Sequence, residues 1–334
     1  MTIERDDMSD TVELKMVTKD YDFLAPIACG DIVPERIKLN LERDTPGALD
    51  RTLSDSSIDV GELSFSRQIT RLANGDKSFV GIPIFPQRAF RHRCFFVRRG
   101  SGLNTIESLA GKRIGTNEWP ASGNVWTRSI LRTHKVRVDE ISWSVGSVDG
   151  KPSNRPQGNL PPYVKQVTDK SLLSMLLAGE LDALMCPHPP KGFHDEGSPV
   201  VRLLEDFRTA EIDYFRRTGS FPTIHVIGVR RAVYDKHPWV LVSLFNAVEA
   251  SKLRWQASRR NLSDTTPWSI AEIEDATKLF GRDWYPYGVE KNRTDIEKLS
   301  SELHEEGLAP KQLTAEEIFP EFMASLREAA RAAA

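Results

Sequence analysis

Arginine and histidine are concentrated in one short segment, 88–93 (RAFRHR), which follows an apolar run. Arginine can grip a carboxylate through two parallel N–H bonds, and histidine can exchange a proton near neutral pH. Alternate residues of an extended chain share one face, so Arg88 and His92 are expected to reach one ligand together. Arg91 lies on the opposite face, as a further ligand contact or as a brace for a hinge. A solvated basic strand is the alternative interpretation.

Acidic and hydroxyl side chains follow two predicted strands near the amino terminus. Glu62 and Ser64 come directly after the predicted strand Ile58–Val60. Parallel sheets bind ligands at the carboxyl ends of their strands, so Glu62 is expected to orient a ligand hydroxyl or take its proton. An acid that caps a helix is the alternative. Tyr21 and Asp22 lie in the equivalent turn after the first strand, where they can hydrogen-bond a ligand or simply form the turn.

A third group of candidates lies between a predicted strand and a predicted helix. Its members are Asn117, Glu118, Trp119 and Ser122. The N–H groups at the start of the following helix can hold a carboxylate. Trp119 can stack on an aromatic ligand, or it can fill the core.

The remaining candidates are histidines. His225 lies in the apolar stretch 223–229, where a buried structural histidine is the alternative to a catalytic one. His188 is a candidate ligand contact in a proline-rich loop. His188, His194 and His92 are also the candidate ligands for a metal. The spacing of His188 and His194 matches no recognised ligand pattern, so no metal is expected. No P-loop or GxGxxG motif follows a strand, so no organic cofactor is expected either.

Short apolar strands alternate with helical stretches along the chain. Such alternation indicates an α/β protein with parallel sheets. The segments 48–60 and 172–184 each contain a helix, a break, an aspartate and a strand, which favours two lobes of similar plan. A chance similarity of two such units is the alternative.

Composition limits the partners and the compartment. The 334 residues carry a formal net charge of −2, which gives no basic field for nucleic acid and no polybasic membrane anchor. The segment 1–10 has neither the basic start nor the apolar run of a secretory signal, so a cytoplasmic protein is expected. The three cysteines show no CxxC spacing, and no disulfide is expected. A small molecule is the expected partner, and homo-oligomerisation stays open.

Six longer stretches resemble the 4,5-dihydroxyphthalate decarboxylase family. They are DYDFLAPIACGDIVPERIKLN (20–40), DVGELSFS (59–66), IPIFPQRAFRH (82–92), GKRIGTNEWPASGNVWTRSIL (111–131), YFRRTGSFPTIHVIGVRR (214–231) and WYPYGVEKNR (284–293). The resemblance implies the two-lobed fold of type II periplasmic binding proteins. It places 1–99 and 206–334 in the first lobe and 100–205 in the second, with a ligand cleft between them.

The same resemblance implies non-oxidative decarboxylation of a hydroxylated aromatic acid, similar to 4,5-dihydroxyphthalate. The ring hydroxyl supplies electrons, and a general acid must protonate the ring carbon that carries the carboxyl group. His92 is the first candidate for this acid, His225 the second and a protonated Glu62 the third. A binding or sensor protein without catalysis, and another lyase or a hydrolase on the same scaffold, remain the alternatives.

Overall fold

The structure is a computed structural model that describes residues 11–44, 47–150, 157, 159–261 and 266–332. The chain divides into two compact units. Unit 1 comprises Met1–Arg88, His225–Glu297 and Lys311–Ala334, and unit 2 comprises Ala89–Ile224 and Lys298–Pro310. Each unit is built on a β-sheet of its own.

The strands of the described residues are β1 (Val12–Thr18), β2 (Ile37–Arg43), β3 (Val60–Ser64), β4 (Phe79–Ile82), β5 (Phe95–Arg98), β6 (Arg113–Thr116), β7 (Ser142–Val145), β8 (Val164–Gln166), β9 (Ala183–Met185), β10 (Val200–Arg202) and β11 (His225–Arg230). The helices are α1 (Ala25–Ala28), α2 (Ala48–Ser54), α3 (Phe65–Ala73), α4 (Ser122–Thr133), α5 (Leu172–Leu177), α6 (Phe207–Thr218), α7 (Arg231–Lys236), α8 (Val240–Asn261), α9 (Ser269–Phe280), α10 (Arg293–Glu305), α11 (Ala315–Ile318) and α12 (Pro320–Ala332). Short 3₁₀ turns lie at Asp22–Leu24, His92–Cys94, Glu107–Leu109, Val138–Glu140 and Glu290–Asn292.

Unit 1 has a five-stranded sheet with the order β2-β1-β3-β11-β4. β1 runs parallel to β2 and β3, whereas β11 runs antiparallel to both β3 and β4. Strands β3, β4 and β11 are almost continuously buried, as expected for strands covered on both faces. Gly61 allows α2 to pack closely on β3, since a Cβ there would lie 2.3 Å from Thr52 Oγ1.

Unit 2 has a six-stranded sheet with the order β10-β5-β9-β6-β7-β8. β6 is parallel to β7 and β9, and β5 is antiparallel to β9 and β10. Large apolar side chains, including Phe95, Ile114, Trp143 and Met185, fill its core. A turn after β6 leads directly into α4, so the sheet positions the start of this helix.

The predicted α/β class is confirmed, but the units divide at other residues than the sequence suggested. The sequence placed the segment 89–99 in the first lobe, whereas β5 pairs with β9 and β10 of the second sheet. The segment 206–224 also belongs to unit 2, because Phe221 stacks on Phe90 and Tyr214 packs on His92. β3 extends to Ser64, so Glu62 lies within a strand rather than after one.

Two further findings concern the whole described chain. Cys29, Cys94 and Cys186 are all free, and the last two are buried. No helix among the described residues combines the length and the apolar character needed to cross a bilayer.

Candidate functional site

Two strands of unit 1 bring a glutamate and a histidine together. Glu62 lies in β3 opposite Ile227, so His225, two residues earlier on β11, is its diagonal neighbour on the same face of the sheet. Glu62 Oε1 contacts His225 Nδ1 within hydrogen-bonding distance. An ionised carboxylate only accepts hydrogen bonds, so Nδ1 carries the proton in this pair.

The same carboxylate accepts two further hydrogen bonds from the turn after β1. The hydroxyl of Tyr21 donates to Glu62 Oε1 at 2.6 Å, and the Lys19 N–H donates to Oε2 at 2.8 Å. The ring of Tyr21 is itself held by stacking on Phe23, with 5.1 Å between the ring centroids. Three donors therefore surround a Glu62 side chain that is fully buried.

These donors determine the protonation of the cluster. Burial alone would raise the pKa of Glu62, but the hydrogen bond and charge of His225, with the donors from Lys19 and Tyr21, hold this pKa below its ordinary value. Burial and the negative charge of Glu62 raise the pKa of Tyr21, so its phenol stays protonated. The cluster is a buried carboxylate held between a phenol and an imidazole.

Such an arrangement suits proton transfer by the imidazole. A carboxylate on Nδ1 fixes the tautomer and the orientation of a histidine ring and stabilises its protonated form. Nε2 of His225 is then the ring nitrogen that can exchange a proton with a ligand. Because its lone pairs already accept three hydrogen bonds, Glu62 is better placed to orient His225 than to act as the predicted acid or base.

The other predicted contacts of this region are less directed. The hydroxyl of Ser64 lies 3.2 Å from that of Ser66, at the start of α3. Asp22 is exposed in the 3₁₀ turn that follows Tyr21. Of the group predicted after the first and third strands, the structure brings Tyr21 and Glu62 together and adds His225 to them.

Arg88 is buried in unit 1 but already has an internal carboxylate. Its guanidinium donates to Asn292 Oδ1 and lies 3.6 Å from a carboxylate oxygen of Asp295. Burial lowers the pKa of Arg88, and the charge of Asp295 acts in the opposite direction. The predicted grip on a ligand carboxylate is therefore not what this geometry favours, because Asp295 supplies the negative charge.

Arg91 differs from Arg88 because it has no carboxylate partner among the described residues. It is buried in unit 2, its Nε donates to Thr127 Oγ1 at 3.2 Å, and no carboxylate of the described residues forms an ion pair with it. Its guanidinium lies over Gly123, where a Cβ would come within 2.8 Å of Cζ. Burial lowers the pKa of Arg91, and the charge of Glu211, which forms no ion pair with it, acts weakly in the opposite direction. A cation left in this state is suited to an anionic ligand.

The start of α4 lies beside this guanidinium and carries polar atoms without partners. Thr116 Oγ1, at the end of β6, and Asn124 Oδ1 are buried and have no hydrogen-bond partner among the described residues. The Asn124 amide donates to Asn117 Oδ1 at 3.1 Å and to the carbonyl of Glu118 at 2.6 Å, which fixes the turn. Ser122 is buried in the first turn of α4. The first N–H groups of a helix attract anions, so this region fits the predicted carboxylate contact.

Trp119 does not occupy the position predicted for it. Its side chain is fully buried in the core of unit 2, 5.4 Å from the ring of Trp143 and under the guanidinium of Arg128 at 3.9 Å. Both neighbours are protein groups, so the core interpretation replaces stacking on a ligand ring.

His92 is buried against Tyr214 in unit 2, and neither ring nitrogen has a hydrogen-bond partner among the described residues. Burial, with smaller effects of His134 and Arg217, lowers its pKa to about 4. The 3₁₀ turn at His92–Cys94 breaks the extended geometry that was to align His92 with Arg88, and the two residues belong to different units. A histidine of such low pKa is neutral near pH 7, which weakens its case as the first candidate acid.

The histidines of the proline-rich loop lie at the surface. His188 and His194 are both exposed. Among the described residues no group of three or more histidine, cysteine, aspartate or glutamate side chains is arranged to hold a metal ion.

Similarity to known proteins identifies the family of this chain. The chain is 30% identical over 321 residues to a 4,5-dihydroxyphthalate decarboxylase of Comamonas testosteroni, covering 92% of this chain and 96% of the relative. The chain belongs to the 4,5-dihydroxyphthalate decarboxylase family. A second relative of the same name, from Pseudomonas putida, is 27% identical over 217 residues, 61% of this chain and 82% of the relative. No family model matches the chain. The predicted family and its enzyme class, a carboxy-lyase, are confirmed.

Solved structures support the fold of this decarboxylase family member. The periplasmic aliphatic sulphonate binding protein SsuA of Escherichia coli matches with a TM-score of 0.52 and 14% identity, covering 92% of this chain and 98% of that one. A DSZB mutant in complex with biphenyl-2-sulfinic acid matches with a TM-score of 0.50 and 15% identity, covering 95% of this chain and 99% of that one. The predicted fold of the periplasmic-binding-protein type is thereby confirmed.

Two tyrosines near this cluster are not among the residues predicted from the sequence. Tyr285 and Tyr287 lie near enough to Tyr21 to add to the rise in its pKa caused by burial and by Glu62. Tyr287 is buried, and its hydroxyl has no partner among the described residues. The aromatic density of WYPYG (284–288), which contributes to the family resemblance, is the sequence signal for these two tyrosines.

Proposed function

We propose that this chain decarboxylates a hydroxylated aromatic dicarboxylic acid of the 4,5-dihydroxyphthalate class, with His225 as the general acid. Two relatives that carry the name of this activity support the reaction. The observation that carries the choice of acid is the hydrogen bond between Glu62 and His225 Nδ1 inside unit 1.

The reaction requires a proton on the ring carbon before the carboxyl group leaves, since an aryl carbanion is otherwise formed. A hydroxyl para to this carbon passes its proton to solvent, and the resulting phenolate pushes an electron pair into the ring. His225 Nε2 gives a proton to the carbon, the bond between the ring carbon and the carboxylate carbon breaks, and its electron pair restores the aromatic ring as the phenolate. Carbon dioxide leaves, the phenolate takes a proton back from solvent to give 3,4-dihydroxybenzoate, and the imidazole recovers a proton from water.

Each neighbour of His225 has a part in this scheme. Glu62 holds the ring by Nδ1 and stabilises the imidazolium that donates the proton. The pKa of Tyr21 is raised by burial and by Glu62, so its phenol remains neutral and can accept a hydrogen bond from a ring hydroxyl while it donates to Glu62.

Arg91 is the proposed contact for a substrate carboxylate. Among the described residues the buried guanidinium forms no ion pair with a carboxylate, unlike Arg88, which lies 3.6 Å from a carboxylate oxygen of Asp295. Thr116, Ser122 and the first N–H groups of α4 belong to the same region of unit 2 and can add hydrogen bonds to an anion.

Incubation of the protein with 4,5-dihydroxyphthalate tests the proposal. Release of carbon dioxide together with 3,4-dihydroxybenzoate is expected, and phthalate without hydroxyl groups is the control that should not react. Calorimetric binding of 4,5-dihydroxyphthalate without any carbon dioxide would show a binding protein and would contradict the proposed function.

A further inference from the structure

Tyr287 is a buried tyrosine that takes no part in the proposed proton transfer. Its side chain is 2% exposed, and its hydroxyl has no hydrogen-bond partner among the described residues. A buried hydroxyl without a partner costs free energy, and phenylalanine would fill the same space without this cost. The hydroxyl is therefore expected to meet a partner that comes from outside the chain.

The backbone on both sides of Tyr287 is held by hydrogen bonds. The Gly288 N–H donates to the carbonyl of Pro83 at 2.8 Å. The side-chain amide of Asn292 donates to the carbonyl of Pro286 at 2.9 Å and to that of Gly288 at 2.7 Å. The segment that carries Tyr287 is therefore fixed before a ligand binds, which suits a group that selects its ligand by position.

Tyr287 belongs to the same aromatic group as Tyr21 of the proposed site. Phe23 stacks on Tyr21 with 5.1 Å between the ring centroids, and it packs edge-on against Tyr287 at 6.4 Å. These three residues lie in unit 1, as do Glu62 and His225. The hydroxyl of Tyr21 is engaged by Glu62, so that of Tyr287 is the phenol of this group that is left for a ligand.

The cations near Tyr287 already have carboxylate partners. Lys252 Nζ lies 4.3 Å from the centre of the Tyr287 ring and 2.8 Å from a carboxylate oxygen of Asp283. Arg88, whose charge also acts on the Tyr287 phenol, lies 3.6 Å from a carboxylate oxygen of Asp295. Burial raises the pKa of Tyr287 well above its ordinary value, so the phenol stays protonated and can donate. A neutral donor among paired charges favours an uncharged ligand oxygen over a carboxylate.

We propose that Tyr287 is a specificity-determining residue that binds the second ring hydroxyl of the substrate, the one meta to the carboxyl group that leaves. This assignment rests on the proposed function, in which the para hydroxyl supplies the electrons and the second hydroxyl has no chemical part. A hydrogen bond from Tyr287 to the oxygen of the second hydroxyl gives that group a part in recognition. The enzyme then prefers a ring with two adjacent hydroxyls over a ring with one.

4-Hydroxyphthalate tests this assignment, because it keeps a hydroxyl para to one carboxyl group and lacks the second hydroxyl. In Tyr287→Phe, kcat/KM for 4,5-dihydroxyphthalate should fall about 10-fold, the effect of one hydrogen bond between uncharged groups. The kcat/KM for 4-hydroxyphthalate should stay at the parent value. Tyr234→Phe makes the same change in α7, which follows the opposite end of β11 from His225, and should leave both values unchanged.

Binding of the two products separates this assignment from the proposed function, because it needs no turnover. Titration calorimetry with 3,4-dihydroxybenzoate and 3-hydroxybenzoate compares ligands that differ in the same hydroxyl. Tyr287→Phe should bind the first about 10-fold more weakly than the parent does, and the second equally well. Its melting temperature should not fall, because the substitution removes a buried hydroxyl that has no partner among the described residues.

An equal change in affinity for both ligands in Tyr287→Phe overturns the assignment. A parent that binds the two ligands equally, or binds neither, overturns it as well. A parent that favours 3,4-dihydroxybenzoate through Tyr287 but releases no carbon dioxide from 4,5-dihydroxyphthalate supports the assignment and contradicts the proposed function alone.

Discussion

Replacement of Arg91 by methionine should make the free protein more stable and the enzyme a poorer binder of its substrate. Arg91 is 4% exposed, has one hydrogen bond to Thr127, and forms no ion pair with the described residues. Burial of an ion without a partner costs several kcal/mol, and methionine of similar length removes that charge. We expect the free energy of unfolding to rise by about 1–3 kcal/mol.

The loss of affinity is set by the contact to a carboxylate. A hydrogen bond to a charged group contributes about 1.5–3 kcal/mol, so the dissociation constant for 4,5-dihydroxyphthalate should rise roughly 10- to 150-fold in Arg91→Met. Denaturant unfolding gives the stability, and titration calorimetry of Arg91→Met in a His225→Gln background, where turnover is expected to be slow, gives the affinity.

Arg128 supplies a matched control in α4. Its side chain is also fully buried, but it forms an ion pair with Glu306 and donates to the carbonyl of Trp119 at 2.9 Å. Arg128→Met removes one of the two arginines that pair with the Glu306 carboxylate, the other being Arg132 at 3.0 Å, and should lower stability by about 1–3 kcal/mol. If Arg91→Met is destabilised like Arg128→Met, or binds substrate as tightly as the parent, the assignment of Arg91 to a ligand is refuted.

Three further predictions concern Glu62, His92 and the effect of a metal chelator. Glu62→Gln keeps a hydrogen-bond acceptor for His225 Nδ1 but removes the negative charge that favours the imidazolium. Turnover should therefore fall about 10²-fold or more. An unchanged rate in a stopped-flow assay would remove Glu62 from the mechanism. Because the pKa of His92 is about 4 in the folded chain and about 6.5 when unfolded, the unfolded state binds more protons between these values. Urea titrations should show that the free energy of unfolding of the parent falls by up to about 3 kcal/mol between pH 6.5 and pH 4 because of His92. The free energy of unfolding of His92→Phe should fall less over the same pH range. Dialysis against a chelator should leave carbon dioxide release unchanged; recovery of lost activity by one divalent ion would contradict this and would direct attention to His188 and His194.

The sequence predicts the chemistry of single residues, but it predicts only part of how these residues are grouped in space. The alternation of strands and helices predicted the α/β class, and it placed Tyr21 and Glu62 at the ends of two strands that do lie near each other. The approach of His225 to Glu62 depends on the antiparallel pairing of β11 with β3, across 163 residues of chain. No local pattern specifies such a long-range pairing, so His225 was ranked below His92.

The errors in the arginine segment have a physical origin. Alternation along an extended chain predicts that Arg88 and His92 share one face, but a 3₁₀ turn begins at His92 and ends that geometry. Residue type alone also cannot show whether an arginine has an internal counter-ion. Asp295, which lies 3.6 Å from Arg88, is about 200 residues away in sequence, whereas Arg91 forms no ion pair with a carboxylate of the described residues.

The proton donor is tested most directly by His225→Gln, assayed for carbon dioxide release from 4,5-dihydroxyphthalate in deuterated water. Parent enzyme should place one deuterium on the ring carbon that loses its carboxyl group. The variant should turn over about 10²–10⁴-fold more slowly while its substrate dissociation constant stays close to that of the parent. Carbon dioxide release by His225→Gln at the parent rate, with the same deuterium content in the product, would contradict the account and return His92 to first place.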